Sequence, residues 1–126
     1  MELKNWAVYP DPRNKAVARA CIDEFARLTL GDSTYHSFEA LNESCRISGS
    51  VYGHKKYADG TEIGTSRVKS ASRLEGNVLE ITTQSGSRYL LKIDQMNREM
   101  EQTLLEARRQ QLYAVAGRTG YEESCT

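Results

Sequence analysis

Residues 67–93 read RVKSASRLEGNVLEITTQSGSRYLLKI, and the period of two in this stretch decides the fold class. Successive side chains of a strand point to opposite faces. Arg67 to Leu74 alternates, Glu75-Gly76-Asn77 turns the chain, and Val78 to Thr83 is rich in β-branched residues. Ser85-Gly86-Ser87 turns it again, and Arg88 to Ile93 alternates once more. Upstream, Cys45, Ile47, Gly49 and Val51 alternate with Arg46, Ser48, Ser50 and Tyr52, and Asp59-Gly60 marks a turn. Tightly connected strands of this kind predict an antiparallel β-meander of four to five short strands within an α+β domain.

Helical patterns flank the strands. Asp11-Pro12 reads as a cap and first helical position, because proline's missing N–H costs nothing there. From Asn14 to Leu30, Val17, Cys21, Phe25 and Leu28 fall at helical spacing, and Gly31 stands where a left-handed residue would end the helix. Residues 1–10 suit a short strand or extended arm. Residues 32–43 suit a connection with one helical turn. Asp94 then reads as the cap of a second helix to about Tyr113, with Met96, Met100, Leu104, Ala107 and Leu112 on a narrow apolar stripe. Such a helix suits packing on a sheet or on a copy of itself. One domain over residues 1–116 and a flexible tail over 117–126 complete the expected organisation.

Composition narrows the function. At 126 residues the chain can bury a core without metal or disulfide help, although only 39% of it is apolar. Seventeen basic residues balance seventeen acidic ones, so the overall electrostatic footprint of a non-specific nucleic-acid binder is missing. Cys21, Cys45 and Cys125 form an odd set without ligand spacing, which disfavours zinc and a disulfide framework. Cys21 reads as a buried apolar residue. No stretch reads as a signal segment or membrane span, so an intracellular, soluble protein is expected.

Catalytic signatures are missing as well: there is no GxGxxG, P-loop, GxSxG or HExxH, and His36 and His54 are not spaced as a metal pair. The expectation is a binding protein, not an enzyme, with neither cofactor nor metal. The positive signal is cationic. Arg67, Lys69 and Arg73 are expected on one face of their strand, and Arg88 and Lys92 on one face of theirs. If the two faces coincide, five basic side chains gather. A plain solvated sheet face explains the same pattern. The adjoining turn, Thr82-Thr83-Gln84-Ser85-Gly86-Ser87-Arg88-Tyr89, offers hydroxyls, open backbone and a guanidinium fork, a set suited to a small phosphorylated ligand. Arg108 and Arg109, like Arg27, lie late in a helix, where the helix dipole alone favours them. Tyr113 or Phe25 nearby could stack a base.

The order of Gly49-Ser50-Val51-Tyr52-Gly53-His54, Asp59-Gly60-Thr61, Thr65-Ser66 and Thr82-Thr83-x-Ser85-Gly86-Ser87-x-Tyr89 resembles the first family of Thoeris anti-defence proteins. Tyr9-Pro10-Asp11, Asn14-Lys15 and the long C-terminal helix fit the same pattern. The resemblance implies a phage-encoded sponge, acting in the cytoplasm of the infected bacterial host. Such a sponge holds cyclic ADP-ribose isomers made by TIR proteins without cleaving them. It also implies a homo-oligomer, dimer or hexamer, built on the C-terminal helix. By local match the ADP-ribose site falls at Arg27, Asn97, Met100, Arg108 and Arg109. A separate site for cyclic di- or trinucleotides falls at Gly53, His54, Ser87 and Arg88. No membrane and no DNA or RNA polymer is expected as partner. The competing readings are an oligomeric protein-interaction module without a nucleotide ligand and a small nucleic-acid-binding accessory protein.

Overall fold

The computed structural model describes residues 1–10, 13–39 and 45–124, with side chains up to 114. Seven strands and two helices follow in the order β1 (Glu2–Pro10), α1 (Lys15–Leu30), β2 (Tyr35–Ser37), β3 (Cys45–Tyr52), β4 (Thr61–Gly64), β5 (Val68–Leu74), β6 (Val78–Thr83), β7 (Arg88–Lys92) and α2 (Arg98–Ser124). The strands form one sheet in the order β2-β5-β6-β7-β1-β3-β4. Its class is α+β and it is mostly antiparallel, with β1 lying parallel to β7.

The stretch from 67 to 93 folds as its period predicts, into the β5-β6-β7 meander. Gly76 and Asn77 take positive φ in the first turn and Gly86 in the second. The rest of the sheet departs from a plain meander. β3 does not join β5 directly, because β1 inserts between β7 and β3. β2 and β4 are further strands on the two edges, too short to show a period of their own.

The reason β1 can sit centrally lies in its own sequence. Its buried residues are Leu3, Trp6 and Val8, a spacing that breaks strict alternation. A β-bulge between Lys4 and Ala7 restores the phase, with Asn5 at φ 51. Gly49 lies opposite, where a Cβ would come within 3.0 Å of the Lys4 carbonyl and 3.2 Å of the Trp6 Cα. The Trp6 indole is fully buried and donates to the Lys92 carbonyl at 2.8 Å, which ties β1 to the end of β7. Thr65, directly after β4, carries the β3–β4 ladder one pair further. Its N–H donates to the Ile47 carbonyl (2.8 Å) and its hydroxyl accepts from the Ile47 N–H (3.1 Å).

Both helices contribute to the core. α1 buries Cys21, Phe25, Ala26 and Leu28, and α2 buries Met100, Leu104 and Ala107. Phe25 stacks on Phe38 at 5.0 Å, whose ring also meets His36 edge-on. Leu112 leaves the expected stripe and stands 54% exposed. Five residues beyond Ala107 it has turned about 140° away from the buried face.

The helix ends also differ from expectation. The cap of α1 is Asn14, whose side chain accepts from the Val17 N–H at 3.1 Å; Asp11-Pro12 lies outside the described residues. Gly31 ends α1 in an extended conformation (φ −111), not a left-handed one, and its N–H still reaches the Arg27 carbonyl at 3.0 Å. Asp94 belongs to a 3₁₀ turn, Ile93–Gln95, and the cap of α2 is Asn97, which accepts from the N–H groups of Glu99 and Met100. α2 continues past Tyr113 to Ser124. Cys21 is fully buried as expected, but it is bonded to Cys45, their Cα atoms 6.1 Å apart. The two are 24 residues apart in sequence, and only the docking of α1 on the start of β3 brings them together. Cys125 lies outside the described residues. Among the described residues no helix is long and apolar enough to cross a membrane.

Candidate functional site

The cationic sheet face does not assemble. A bulge between Val68 and Ser70 shifts the phase of β5, and Arg73, paired with Leu79, turns to the helix side. There its guanidinium donates to the carbonyls of Leu28 and Gly31 at 3.3 Å and to Asn77 Oδ1 at 3.0 Å. Arg73 therefore covers the carbonyl end of α1. Lys69 lies 3.9 Å from Glu39 and Lys92 3.8 Å from Glu2. Arg88 is exposed on β7.

The 82–89 turn is largely self-satisfied. The Thr83, Ser85 and Ser66 hydroxyls form a chain with links of 2.9 and 3.0 Å. The Gly86 N–H donates to the Thr83 carbonyl and the Gln84 N–H to the Arg67 carbonyl. Ser87, half-buried, accepts through its carbonyl, and Arg88 beside it is exposed.

Gly53 and His54 share the end of the sheet with these two residues. Glu2 of β1 pairs with Tyr52 on one side and Leu90 on the other. Gly53-His54 and Ser87-Arg88 thus flank the N-terminus of β1, about 10 Å apart across two strand spacings. Gly53 takes φ 77 and donates to Asp59 Oδ1 at 2.9 Å. His54 Nδ1 accepts from the Lys56 N–H, and its ring lies 4.7 Å from that of Tyr57.

The five residues of the other expected site are divided by the fold. Arg108 and Arg109 share an open cleft of about 620 Å³ with Leu30, Leu105, Leu112 and Tyr113. Arg27 does not line it; its Nη1 lies 2.6 Å from Glu24, which also holds His36 Nδ1 at 3.2 Å. Met100 is 6% exposed and its sulfur accepts from the Val8 N–H, so it serves the core. Asn97 caps α2 and donates to Asn5 Oδ1 at 3.2 Å, beside a polar hollow of about 390 Å³ with Tyr9, Ser48 and Glu62. Arg108 lies eleven positions beyond Asn97 on one helix, about 16 Å along the axis.

The cleft combines two guanidinium groups with an exposed phenol and three exposed leucines. Guanidinium forks match phosphate oxygens in pairs, and the aromatic and aliphatic surface suits a flat base. A larger open groove of about 1020 Å³ runs between α1 and α2, but Ala16, Ala18, Ile22 and Ala107 dominate its lining. Its one arginine, Arg19, is engaged with Asp23 and Gln110. The smaller cleft brings two guanidinium groups together, Arg108 bonded to Gln111 and Arg109 to Glu106, beside an exposed phenol, and on that pairing it is the stronger candidate. The sequence reading reaches only part of that cleft's apolar side: it offers Tyr113 as a stacking ring, sets Leu112 on the core stripe and passes over Leu30 and Leu105. The signal for that side is Leu105 and Leu112, seven apart on α2 with the arginines between them: a second, weaker stripe beside the core-facing one.

Compared with known proteins, the chain matches no family model, no curated protein and no solved structure.

Proposed function

We propose that this protein is a phage anti-defence sponge. It binds and sequesters TIR-derived cyclic ADP-ribose signalling molecules without cleaving them, and so blocks Thoeris immunity in the cytoplasm of the infected host. The observation that carries the reading is the Arg108–Arg109 cleft with its apolar floor. Cyclic ADP-ribose presents a pyrophosphate, which two guanidinium groups can grip, and a purine, which Tyr113 and the leucines can cover. The resemblance in motif order supports the same ligand class. Sequestration needs only affinity and a slow off-rate. The openness of the cleft fits a homo-oligomer in which a second copy closes it. Two α2 helices running in opposite directions would bring Asn97 of one chain toward the arginines of the other. Gly53, His54, Ser87 and Arg88 remain the proposed second site, for cyclic di- or trinucleotides.

The test is retention. The protein is incubated with a panel of cyclic ADP-ribose isomers and cyclic oligonucleotides, filtered and heated, and the released molecules are identified by mass. Intact cyclic ADP-ribose isomer is the expected result. Recovery of a hydrolysed product, or of nothing, would sink the reading.

A second reading, an oligomeric interaction module without a nucleotide ligand, is favoured by the same exposed leucines and tyrosine. It expects Leu112→Asp to break assembly while replacement of Arg88, Arg108 and Arg109 leaves function unchanged.

A further inference from the structure

Arg108 and Arg109 are neighbours in sequence, yet the fold treats them differently. Among the described residues Arg109 reaches only Glu106, one turn back on its own helix, and its side chain is 77% exposed. Arg108 is held from two sides. Its Nη1 donates to Gln111 Oε1 at 3.1 Å, and Gln111 Nε2 donates to the Asp23 carbonyl of α1 at 3.1 Å. The orientation of that amide is forced by chemistry. A carbonyl only accepts and a guanidinium only donates, so the nitrogen must face Asp23 and the oxygen must face Arg108. Gln111 is therefore a two-ended link from the backbone of one helix to the guanidinium on the other.

Gly31 supplies the other side. A Cβ there would lie 3.1 Å from Arg108 Nη1 and 3.2 Å from its Cζ, so the absence of a side chain lets the guanidinium come close against the end of α1. The position is extended, so glycine is required here by space and not by backbone torsion.

We propose that Gln111 and Gly31 are positioning residues for Arg108: together they hold its fork at the mouth of the cleft before any anion arrives. The proposal rests on the sequestering reading above and adds which arginine grips the phosphates and what aims it. Holding the fork in advance removes rotamer freedom that would otherwise be lost on binding, which is how affinity is gained without a new ligand contact.

The experiment measures affinity for cyclic ADP-ribose and its isomers by calorimetry, with a thermal melt of each variant. The variants are Arg108→Ala, Arg109→Ala, Gln111→Leu, Gly31→Ala and the Gln111→Leu/Arg108→Ala double variant. Arg108→Ala is expected to lose more affinity than Arg109→Ala. Gln111→Leu is expected to weaken binding roughly tenfold with its melting temperature nearly unchanged. In the Arg108→Ala background Gln111→Leu should add nothing, because a positioning residue has no effect once its target is gone. An equal loss from Gln111→Leu in both backgrounds would overturn the proposal, and so would wild-type affinity in Gln111→Leu or in Arg108→Ala. Gly31→Ala also presses on the Arg27 carbonyl, 2.9 Å from the new Cβ, so its binding counts only if its melt matches wild type; Gln111→Leu decides the matter either way. If the wild type binds none of the isomers, the sequestering reading fails and takes this inference with it. If the wild type binds and Arg108→Ala binds equally, only the inference fails.

Discussion

At the scale of single residues, arginines of similar sequence context have unlike roles. Arg73 alternates in register with Arg67 and Lys69 on paper, but the bulge at Lys69 sends it to the other face, onto the end of α1. Arg73→Met is expected to lower stability by about 1.5–3 kcal/mol, the usual worth of hydrogen bonds to a charged donor, as read from urea unfolding. Arg88→Ala, on the open face of β7, should leave the same curve nearly unchanged. A larger effect from Arg88 than from Arg73 would show that the two faces have been exchanged. This distinction was not legible locally, because an alternating pattern states which residues share a face only while no extra residue intervenes.

At the scale of elements, each strand or helix is set by a few residues at its irregular points. α2 begins at Asn97 because its side chain takes two of the N–H groups that a helix start leaves open. Asn97→Ala should cost about 1 kcal/mol, measurable in chemical unfolding, and this structural loss must be subtracted before any fall in ligand affinity is credited to contact. β1 depends on its bulge. Asn5 tolerates a left-handed backbone better than most residues, so Asn5→Gly should be neutral or nearly so, while the β-branched Asn5→Val should destabilise by about 1–2 kcal/mol. A thermal melt in which the valine variant matches wild type would mean that the bulge can relax. The meander of β5, β6 and β7 was readable because its strands and turns are adjacent in sequence. β2 and β4 were not, since three or four residues carry too few alternations to count.

At the scale of the whole molecule, stability rests on contacts distant in sequence. Trp6 joins β1, β7 and the entry to α2, through its indole bond to Lys92 and the bond of its carbonyl to the Asn97 N–H. Trp6→Ala should cost about 3–5 kcal/mol and report as a lowered midpoint in urea. The Cys21–Cys45 bond closes a span of 24 residues, so full reduction should cost about 3 kcal/mol. Unfolding with and without dithiothreitol, together with the intact mass under non-reducing conditions, checks this; coincident curves would remove the bond from the account. The sequence by itself determined the α+β class, the meander, the existence and core faces of both helices and the shortage of catalytic motifs. Each of these follows from local periodicity or composition. Tertiary structure alone decided that β1 divides the sheet, that Arg73 caps α1 and that Arg108 and Arg109 meet Leu30 across a cleft. Those outcomes depend on which surfaces cover one another once the chain closes, and a pattern of neighbours along the chain carries no record of that.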